Sequence, residues 1–373
     1  MKFRDLNKQY EKLKLEIDNA ISTVVNESNF IIGNQVKELE GKLASYVGRK
    51  YCISCANGTD ALILALMVMG IGKGDAVFVP DFTYIATASS VSLVGATPVF
   101  VDIDLDTYNM SPKSLEIAIN KVVSDGKLIP KAIIPVDLFG LPADYENILK
   151  VAKKCNLKVI EDAAQGFGGS FNGKKACSFG DISCTSFFPA KPLGCYGDGG
   201  AIFTDDESVY ETLVSLRSNG KSKTDKYDNI MIGMNSRLDT IQAAILLVKF
   251  KALVDYELDS VNNVYKLYTE KLNKGFKTPI IPNGYYSSFA QYTILCKDNK
   301  ERNNLQKKLK DNDIPSMIYY PKGMHEQKCF NDLDIRGFDF INSTEATKRV
   351  LSLPMHPYLL SDDIDKVCDV LLS

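Results

Sequence analysis

Lys191 lies in a setting unlike that of an ordinary surface lysine, in the stretch FFPAKPLGCYGDGG from Phe187 to Gly200. Pro189 and Pro192 exclude a helix and constrain the backbone on either side of it. The apolar run CTSFF before it predicts a buried strand, so we expect the lysine to emerge from the core. Burial there lowers the pKa of the amine and makes it a nucleophile. For this motif alone, an ordinary loop lysine beside a turn is the alternative.

Two carboxylates end another apolar run, in LKVIEDAAQGFG. Because side chains alternate along a strand, Glu161 and Asp162 should point to opposite faces of the sheet. One of them should then face the carboxyl ends of the strands, where parallel sheets bind ligands. A desolvated carboxylate needs a cationic partner. A purely structural pairing with a nearby Arg or Lys is the alternative.

A third candidate follows the apolar run YCISC, in ANGTDAL. Gly58 and Thr59 would lie at a helix N-terminus, whose free N–H groups, dipole and hydroxyl suit a phosphate, although simple helix capping is the alternative. A phosphate cradle, a strand-end carboxylate and a desolvated lysine together match pyridoxal 5′-phosphate. Lys191 would form the Schiff base, Asp162 would pair with the pyridinium nitrogen, and the helix N-terminus would hold the phosphate.

The elements that must position these residues alternate between strands and helices. Continuous apolar runs such as AVFVP, TPVFVDID and KAIIPVDLF are each followed by a helical stretch. This pattern is typical of an α/β fold with a mostly parallel sheet covered by helices on both faces. We predict a large cofactor-binding domain over residues 1–240, including two N-terminal helices. A long connecting helix over 241–278 and a small C-terminal α/β domain over 279–373 should follow.

The composition excludes several other classes of protein. The 373-residue chain has a net charge of −2, which does not favour nucleic acid or an anionic membrane as a partner. It has no apolar run of about eighteen residues that would span a bilayer. Two histidines, His325 and His356, are too few for a Ser-His-Asp hydrolase or a His-rich metal site, so we expect no metal. Nine scattered cysteines favour free thiols in a soluble, cytoplasmic protein.

Several ordered motifs resemble the DegT-type nucleotide-sugar aminotransferases. The shared stretches are SCANGTDAL, DFTYIATA, PVFVDID, VIEDAAQ, TSFFPAKPLGCYGDGGAIFT and NSRLDTIQAAIL. The similarity runs from the first helix to LSLPMHPYL, which is essentially the whole chain. The resemblance implies the aspartate-aminotransferase fold, pyridoxal 5′-phosphate as cofactor, and a homodimer with shared active sites.

The family pattern also implies a role for each site residue. Lys191 would be the catalytic residue and would carry the cofactor. The other cofactor-binding residues would be Gly58, Thr59 and Ser186 at the phosphate, Tyr84 (rather than Phe82) stacked on the ring, Asp162 at the ring nitrogen, Gln165 at the ring hydroxyl, and Asn235 reaching the phosphate from the partner subunit. Arg237, also from the partner subunit, and Tyr320 would bind the substrate.

The resemblance further implies the reaction. Lys191 stands where sugar dehydratases of the family carry histidine, which favours transamination from glutamate to a UDP- or dTDP-linked keto sugar for surface-polysaccharide biosynthesis. The loop around Lys191 most resembles enzymes that aminate UDP-linked 2-acetamido-3-oxo-glucuronate. Those relatives carry paired histidines where this chain has Asp228 and Asn229, and His-Tyr-Pro where it has Tyr-Tyr-Pro at 319–321. A 3-oxo sugar is the main prediction; a 4-oxo-6-deoxy sugar, a dehydratase and a non-enzymatic regulatory protein stay open.

Overall fold

The strands predicted from the apolar runs form in the structure, a computed structural model that describes residues 1–225 and 227–373. The strands of these residues are β1 (Tyr51–Cys55), β2 (Asp75–Pro80), β3 (Thr97–Val101), β4 (Ile129–Ile133), β5 (Lys158–Asp162), β6 (Ser170–Phe171), β7 (Lys174–Lys175), β8 (Ile182–Ser186), β9 (Gly200–Thr204), β10 (Tyr285–Tyr286), β11 (Tyr292–Leu295) and β12 (Val350–Leu353).

The helices alternate with these strands in the first part of the chain and dominate its last third. They are α1 (Leu6–Glu27), α2 (Asn34–Val47), α3 (Gly58–Val68), α4 (Ile85–Leu93), α5 (Pro112–Asp125), α6 (Tyr145–Cys155), α7 (Glu207–Leu216), α8 (Thr240–Ala252), α9 (Leu258–Leu272), α10 (Asn299–Asp311), α11 (Ile341–Arg349) and α12 (Ser361–Leu372). Within the described residues, none of the helices has both the length and the apolar character needed to cross a membrane.

Seven strands form one sheet in the order β1-β9-β8-β5-β4-β2-β3. The neighbours from β8 to β3 pair in parallel, whereas β9 is antiparallel to both β8 and β1. β9 has the opposite direction because the loop after β8 returns the chain directly to a neighbouring position. The predicted fold class, a mostly parallel sheet between helices, is confirmed.

Both faces of this sheet are buried, which explains why its strands are continuous apolar runs. In β2, Val77 and Val79 pack with α3 and α4 on one face. Ala76 and Phe78 pack with α5 and α6 on the other face. The alternation of side chains along each strand therefore decides which residues can face the helices on either side.

The register of the sheet brings three segments of the predicted site to one edge. Cys55 at the end of β1 and Ser186 at the end of β8 both pair with Gly200 at the start of β9. Asp162, the last residue of β5, pairs with Cys184 two residues before the end of β8. The chain segments that leave β1, β5 and β8 therefore start next to one another.

The C-terminal part of the chain has a core of its own. β11 and β12 form an antiparallel pair, and α9, α10 and α12 pack around buried Tyr268 and Tyr292. The long helical stretch predicted over 241–278 runs without interruption from α8 through a π-helical turn at Leu253–Glu257 into α9. α8 packs against α1 and α2, whereas α9 packs against α12. The domain boundaries at 240 and 278 stay a prediction.

Two carboxyl groups, those of Asp137 and Glu161, are fully buried. Glu161 accepts two backbone N–H hydrogen bonds, at 2.6 and 2.7 Å. Asp137 Oδ1 accepts hydrogen bonds from Ala143 N and Tyr145 Oη, whereas its Oδ2 neighbours Glu161 and receives no donor from the described residues. Burial, followed by the negative charge of Glu161, raises the pKa of Asp137 well above its usual value. We therefore assign a shared proton to Asp137.

Asp137→Asn should preserve the fold, because an asparagine amide can donate to Glu161 as the protonated acid does. The folded wild type keeps its proton at a pH where the unfolded aspartate has lost it. Its free energy of unfolding should therefore fall as the pH rises above about 4. The variant should lack this fall, which is at most about 1.4 kcal/mol per pH unit for one proton. Urea unfolding at about pH 5 and about pH 8 measures the difference.

Glu161→Gln is the matched control for this experiment. A glutamine amide cannot accept both backbone N–H groups, so this variant should lose roughly 1–3 kcal/mol of stability at either pH. If Asp137→Asn were as destabilising as Glu161→Gln at both pH values, the proton would not reside on Asp137.

Candidate active site

A cavity of about 440 Å³ lies at the carboxyl edge of the large sheet. Its walls come from the N-terminus of α3, the turn before α4, the ends of β5 and β8, and the loop after β8. The predicted site residues that line it are Gly58, Thr59, Tyr84, Asp162, Gln165, Ser186, Lys191 and Tyr320. Asn235 and Arg237 do not line the cavity of their own chain. Eight of the ten predicted residues are thus brought together by the fold of one chain.

Lys191 is held in the loop between β8 and β9. Its backbone N–H donates to the carbonyl of Phe188 (2.9 Å), and its own carbonyl accepts from Arg4 Nη2 (2.9 Å). Burial lowers the pKa of the Lys191 amine to about 8. The negative charge of Asp162 opposes this shift, and the positive charge of Arg4 adds to it. Near pH 8, a large fraction of the amine is therefore uncharged and able to attack a carbonyl carbon.

Asp162 is the carboxylate that faces the cavity. Its Oδ2 accepts a hydrogen bond from Thr87 Oγ1 (2.8 Å) and its Oδ1 accepts one from Ala164 N (3.2 Å). Burial raises the pKa of Asp162, and these two hydrogen bonds and then the charge of Lys191 oppose that rise. Glu161 points the other way, toward Asp137, so the predicted alternation of the two carboxylates is confirmed. The fixed Asp162 carboxylate can bind a cationic group in the cavity.

Gly58, Thr59 and Ser186 supply hydrogen-bond donors to the cavity wall. The Asn57 side chain caps α3 by accepting a hydrogen bond from Asp60 N (2.8 Å). The N–H groups of Gly58 and Thr59 have no acceptor within the helix because they belong to its first turn. A Cβ at Gly58 would lie 2.7 Å from Ser186 Cβ, so only glycine lets α3 begin this close to β8. Ser186 Oγ accepts from Phe188 N (3.2 Å), which leaves its own proton available. This donor set at a helix N-terminus fits a phosphate.

Aromatic side chains provide another part of the wall. Tyr84 is 56% exposed, and its ring centroid lies 6.4 Å from that of Tyr320. Phe82 is fully buried in the core, so Tyr84 is the one of the two that can stack on a ligand. Gln165 accepts from the backbone N–H of Phe139 (2.8 Å) and donates to Tyr320 Oη (3.0 Å). This bridge ties the large sheet to the C-terminal part of the chain.

Asn235 and Arg237 lie on either side of Ser236, whose side chain points into the same chain. Ser236 is buried; its Oγ donates to Asp60 Oδ2 (2.7 Å) and accepts from Ala56 N (3.1 Å). Asn235 is exposed and Arg237 is partly exposed. The segment is therefore anchored beside the start of α3, while the two predicted binding residues remain outside the cavity of this chain.

Two residues that contact the central pair have no role in the sequence prediction. Thr87 lies three residues after Tyr84, one turn further along α4, so helical spacing could have indicated it. Arg4 lies 187 positions before Lys191, and no local pattern connects the two. Only the tertiary fold brings its guanidinium to the loop.

The sequence has close relatives. Residues 11–372 match the DegT/DnrJ/EryC1/StrS aminotransferase family. The chain is 44% identical to the UDP-2-acetamido-2-deoxy-3-oxo-D-glucuronate aminotransferase of Pseudomonas aeruginosa, with 100% of both chains covered. It is 41% identical to the UDP-N-acetyl-3-dehydro-alpha-D-glucosamine 3-aminotransferase of Acidithiobacillus ferrooxidans, over 98% of this chain and 96% of that protein.

Solved structures share the fold. An aminotransferase of this family from Brucella abortus has a TM-score of 0.97 at 48% identity, covering 100% of this chain and 98% of that one. The ntda protein from Bacillus subtilis, with bound cofactor PMP, has a TM-score of 0.87 at 28% identity, covering 97% of this chain and 81% of that one. The resemblance found in the motifs is confirmed, and this chain belongs to the DegT/DnrJ/EryC1/StrS aminotransferase family.

Proposed function

We propose that this chain is a pyridoxal 5′-phosphate-dependent aminotransferase that moves an amino group from glutamate to a keto-sugar nucleotide. The observation that carries the proposal is one cavity that holds the low-pKa amine of Lys191, the fixed carboxylate of Asp162 and the donors at Gly58, Thr59 and Ser186. These groups fit the aldehyde, the ring nitrogen and the phosphate of the cofactor, in that order. When bound, the cofactor supplies an electron sink for the carbon that loses a proton.

Lys191 has two tasks in this proposal. Its amine holds the cofactor covalently. When the amine is free, Nζ accepts a proton from the α-carbon of glutamate and donates one to the sugar carbon in the second half of the reaction. Proton transfer by a positioned group is worth roughly 10²–10⁴ in rate. A lysine with an ordinary pKa would be almost fully charged at neutral pH and would do both tasks poorly.

The neighbours of Lys191 keep the reacting groups in place. Asp162, whose carboxylate is fixed by hydrogen bonds from Thr87 and Ala164, would hold a proton on the ring nitrogen. Tyr84 would stack on the ring, and Gln165 would contact the ring hydroxyl. The apolar and aromatic parts of the wall exclude water from the amine, which preserves its uncharged form.

For the acceptor, we propose a UDP-linked 3-oxo sugar without a carboxylate. The two relatives named above act, by their names, on UDP-linked 3-oxo or 3-dehydro sugars. Among the described residues that line the cavity, Lys191 is the single cationic side chain. A uronate would therefore have to find its counter-ion on another subunit. The same observation favours a second candidate, a 4-oxo-6-deoxy sugar nucleotide, which also lacks a carboxylate.

We also propose a two-fold homodimer with shared active sites in the cytoplasm. Asn235 and Arg237 lie outside the cavity of their own chain, and a two-fold dimer would let each reach the site of the partner subunit, with Arg237 and Tyr320 contacting the sugar nucleotide. All nine cysteines, which lie within the described residues, are free thiols, and this supports a reducing compartment.

Lys191→Ala tests the function directly. The variant should fold, but it should lose the visible absorption of the covalently held cofactor. Release of 2-oxoglutarate from glutamate should fall by at least about 10²-fold, because the proton-transfer group is gone. Lys150→Ala, which removes an exposed lysine from α6, is the control and should behave as the wild type. A Lys191→Ala protein that keeps both the absorption and the release would refute the assignment.

A panel of acceptors tests the sugar. With glutamate as donor, a neutral UDP-linked 3-oxo sugar should give a kcat/KM at least equal to that of the matching 3-oxo uronate, since Asp228, Asn229 and Tyr319 stand where relatives that act on the uronate carry histidines. The 4-oxo isomer is the control for the position of the ketone. A kcat/KM for the uronate that is tenfold higher or more, about 1.4 kcal/mol, would show that the site recognises the carboxylate.

Mixed dimers test the sharing of sites. Lys191→Ala homodimers should be inactive and Arg237→Ala homodimers severely impaired. In a mixed dimer both defects fall in one site, and the other site is intact. Random exchange makes half of the dimers mixed, so roughly a quarter of all sites should be wild type and activity should return. If mass measurements confirm exchange and no activity returns, each site is contained in one chain.

A further inference from the structure

The N-terminal segment, residues 1–5, is fixed close to the cavity. The carbonyl of Phe3 accepts a hydrogen bond from Met355 N (3.1 Å), and its ring meets Tyr319 edge-on with centroids 6.0 Å apart. Asp5 caps α1 by accepting a backbone N–H (3.1 Å). Arg4 is therefore held between two anchored neighbours, which sets the direction of its side chain.

Two cations without a role in the proposed chemistry hold the loop that carries Lys191. Arg4 Nη2 donates to the carbonyl of Lys191 itself (2.9 Å). Lys249, which is 2% exposed, donates through Nζ to the carbonyl of Gly194, three residues after Lys191. Burying a cation costs free energy of desolvation, which its hydrogen bonds and ion pairs must offset. Both cations donate to main-chain carbonyls of the same loop, so both stabilise the conformation of that loop.

The charges around Arg4 show that it stays cationic. Burial lowers the pKa of Arg4 to about 10, and the negative charge of Glu257 opposes that shift. Glu257 is buried at the π-helical turn between α8 and α9. Lys249 and His356 also face Arg4: burial and then Arg4 lower the pKa of Lys249 to about 8 and that of His356 to about 4. Near neutral pH, Arg4 therefore carries a full positive charge.

Two charged groups shift the pKa of the Lys191 amine in opposite directions. Asp162 favours the charged amine and Arg4 disfavours it. Without Arg4, only burial would oppose the attraction of Asp162. The hydrogen bond from Arg4 reaches the backbone of the same residue, so its charge is held at a fixed place relative to the amine.

We propose that Arg4 is a positioning residue for Lys191: its hydrogen bond fixes the backbone of the lysine and holds a positive charge close to that residue. The inference rests on the proposed function, because it concerns the amine that would hold the cofactor. Arg4 does not line the cavity itself, and it acts on the site through its contact with Lys191.

Competitive acetylation of the full-length protein tests this role. Trace acetic anhydride labels uncharged amines, and mass spectrometry of the Lys191 peptide over about pH 6–10 gives the midpoint at which the amine loses its proton. Arg4→Met removes the charge and the donor at similar length, whereas Arg4→Lys keeps the charge. Lys2→Met is the matched control, because it removes an exposed cation from the same segment. Thermal unfolding checks that each variant is folded.

Arg4→Met should make Lys191 about three- to tenfold less reactive near pH 7 and move its midpoint to higher pH. Arg4→Lys should stay near the wild type, and Lys2→Met should match it. An unchanged midpoint in Arg4→Met would overturn the proposal. An equal shift in Arg4→Lys would also overturn it, since a loss of packing alone would then explain the effect. If Arg4→Met does not fold, Arg4→Gln takes its place with the same expected shift.

Loading with pyridoxal 5′-phosphate separates this inference from the proposed function. The cofactor should block acetylation of Lys191 in the wild type. If it does not, the proposed function is wrong, while the midpoints of the unloaded proteins still decide the role of Arg4. If it does, and Arg4→Met leaves the midpoint unchanged, only the inference about Arg4 is wrong.

Discussion

The chemistry of this protein depends on the withdrawal from water of an amine and a carboxylate in the same cavity. Either charge alone would be expensive to bury, and together they compensate each other only in part. Burial outweighs the attraction of Asp162, so the pKa of Lys191 falls to about 8. Asp162 is held by two hydrogen bonds and does not depend on Lys191 for its position. This incomplete pairing leaves a reactive amine beside a carboxylate that can bind a cationic ring.

The close approach of chain segments at the sheet edge makes that arrangement possible. A Cβ at Gly58 would lie 2.7 Å from Ser186 Cβ, and one at Gly200 would lie 2.5 Å from the carbonyl oxygen of Asn57. Larger residues at these positions would separate α3 from β8 and β9. The hydrogen-bond donors at Gly58, Thr59 and Ser186 and the lysine loop would then no longer border one cavity. The glycines therefore allow α3 to lie close to β8 and β9, while the register of β1, β8 and β9 determines which residues are neighbours.

The site also joins parts of the chain that are far apart in sequence. Gln165 on the sheet side hydrogen-bonds to Tyr320, and Phe3 of the N-terminal segment packs against Tyr319. Arg4 reaches the Lys191 loop from the same segment. The cavity is thus lined by residues of the large sheet and of the C-terminal part, and the first residues contact two residues of its wall.

The sequence by itself determined the alternating strands and helices, the opposite faces of Glu161 and Asp162, and the family, because side-chain periodicity and motif spacing are local properties. It could not reveal the π-helical turn between α8 and α9, the burial of Asp137 beside Glu161, or the contact of Arg4 with Lys191. Each of these depends on burial or on a contact between distant segments. The sequence predicted a desolvated Lys191, but only the tertiary structure decided that Asp162 and Arg4 act on the pKa of its amine in opposite directions, because the pKa of a group depends on the solvent and charges that surround it in space.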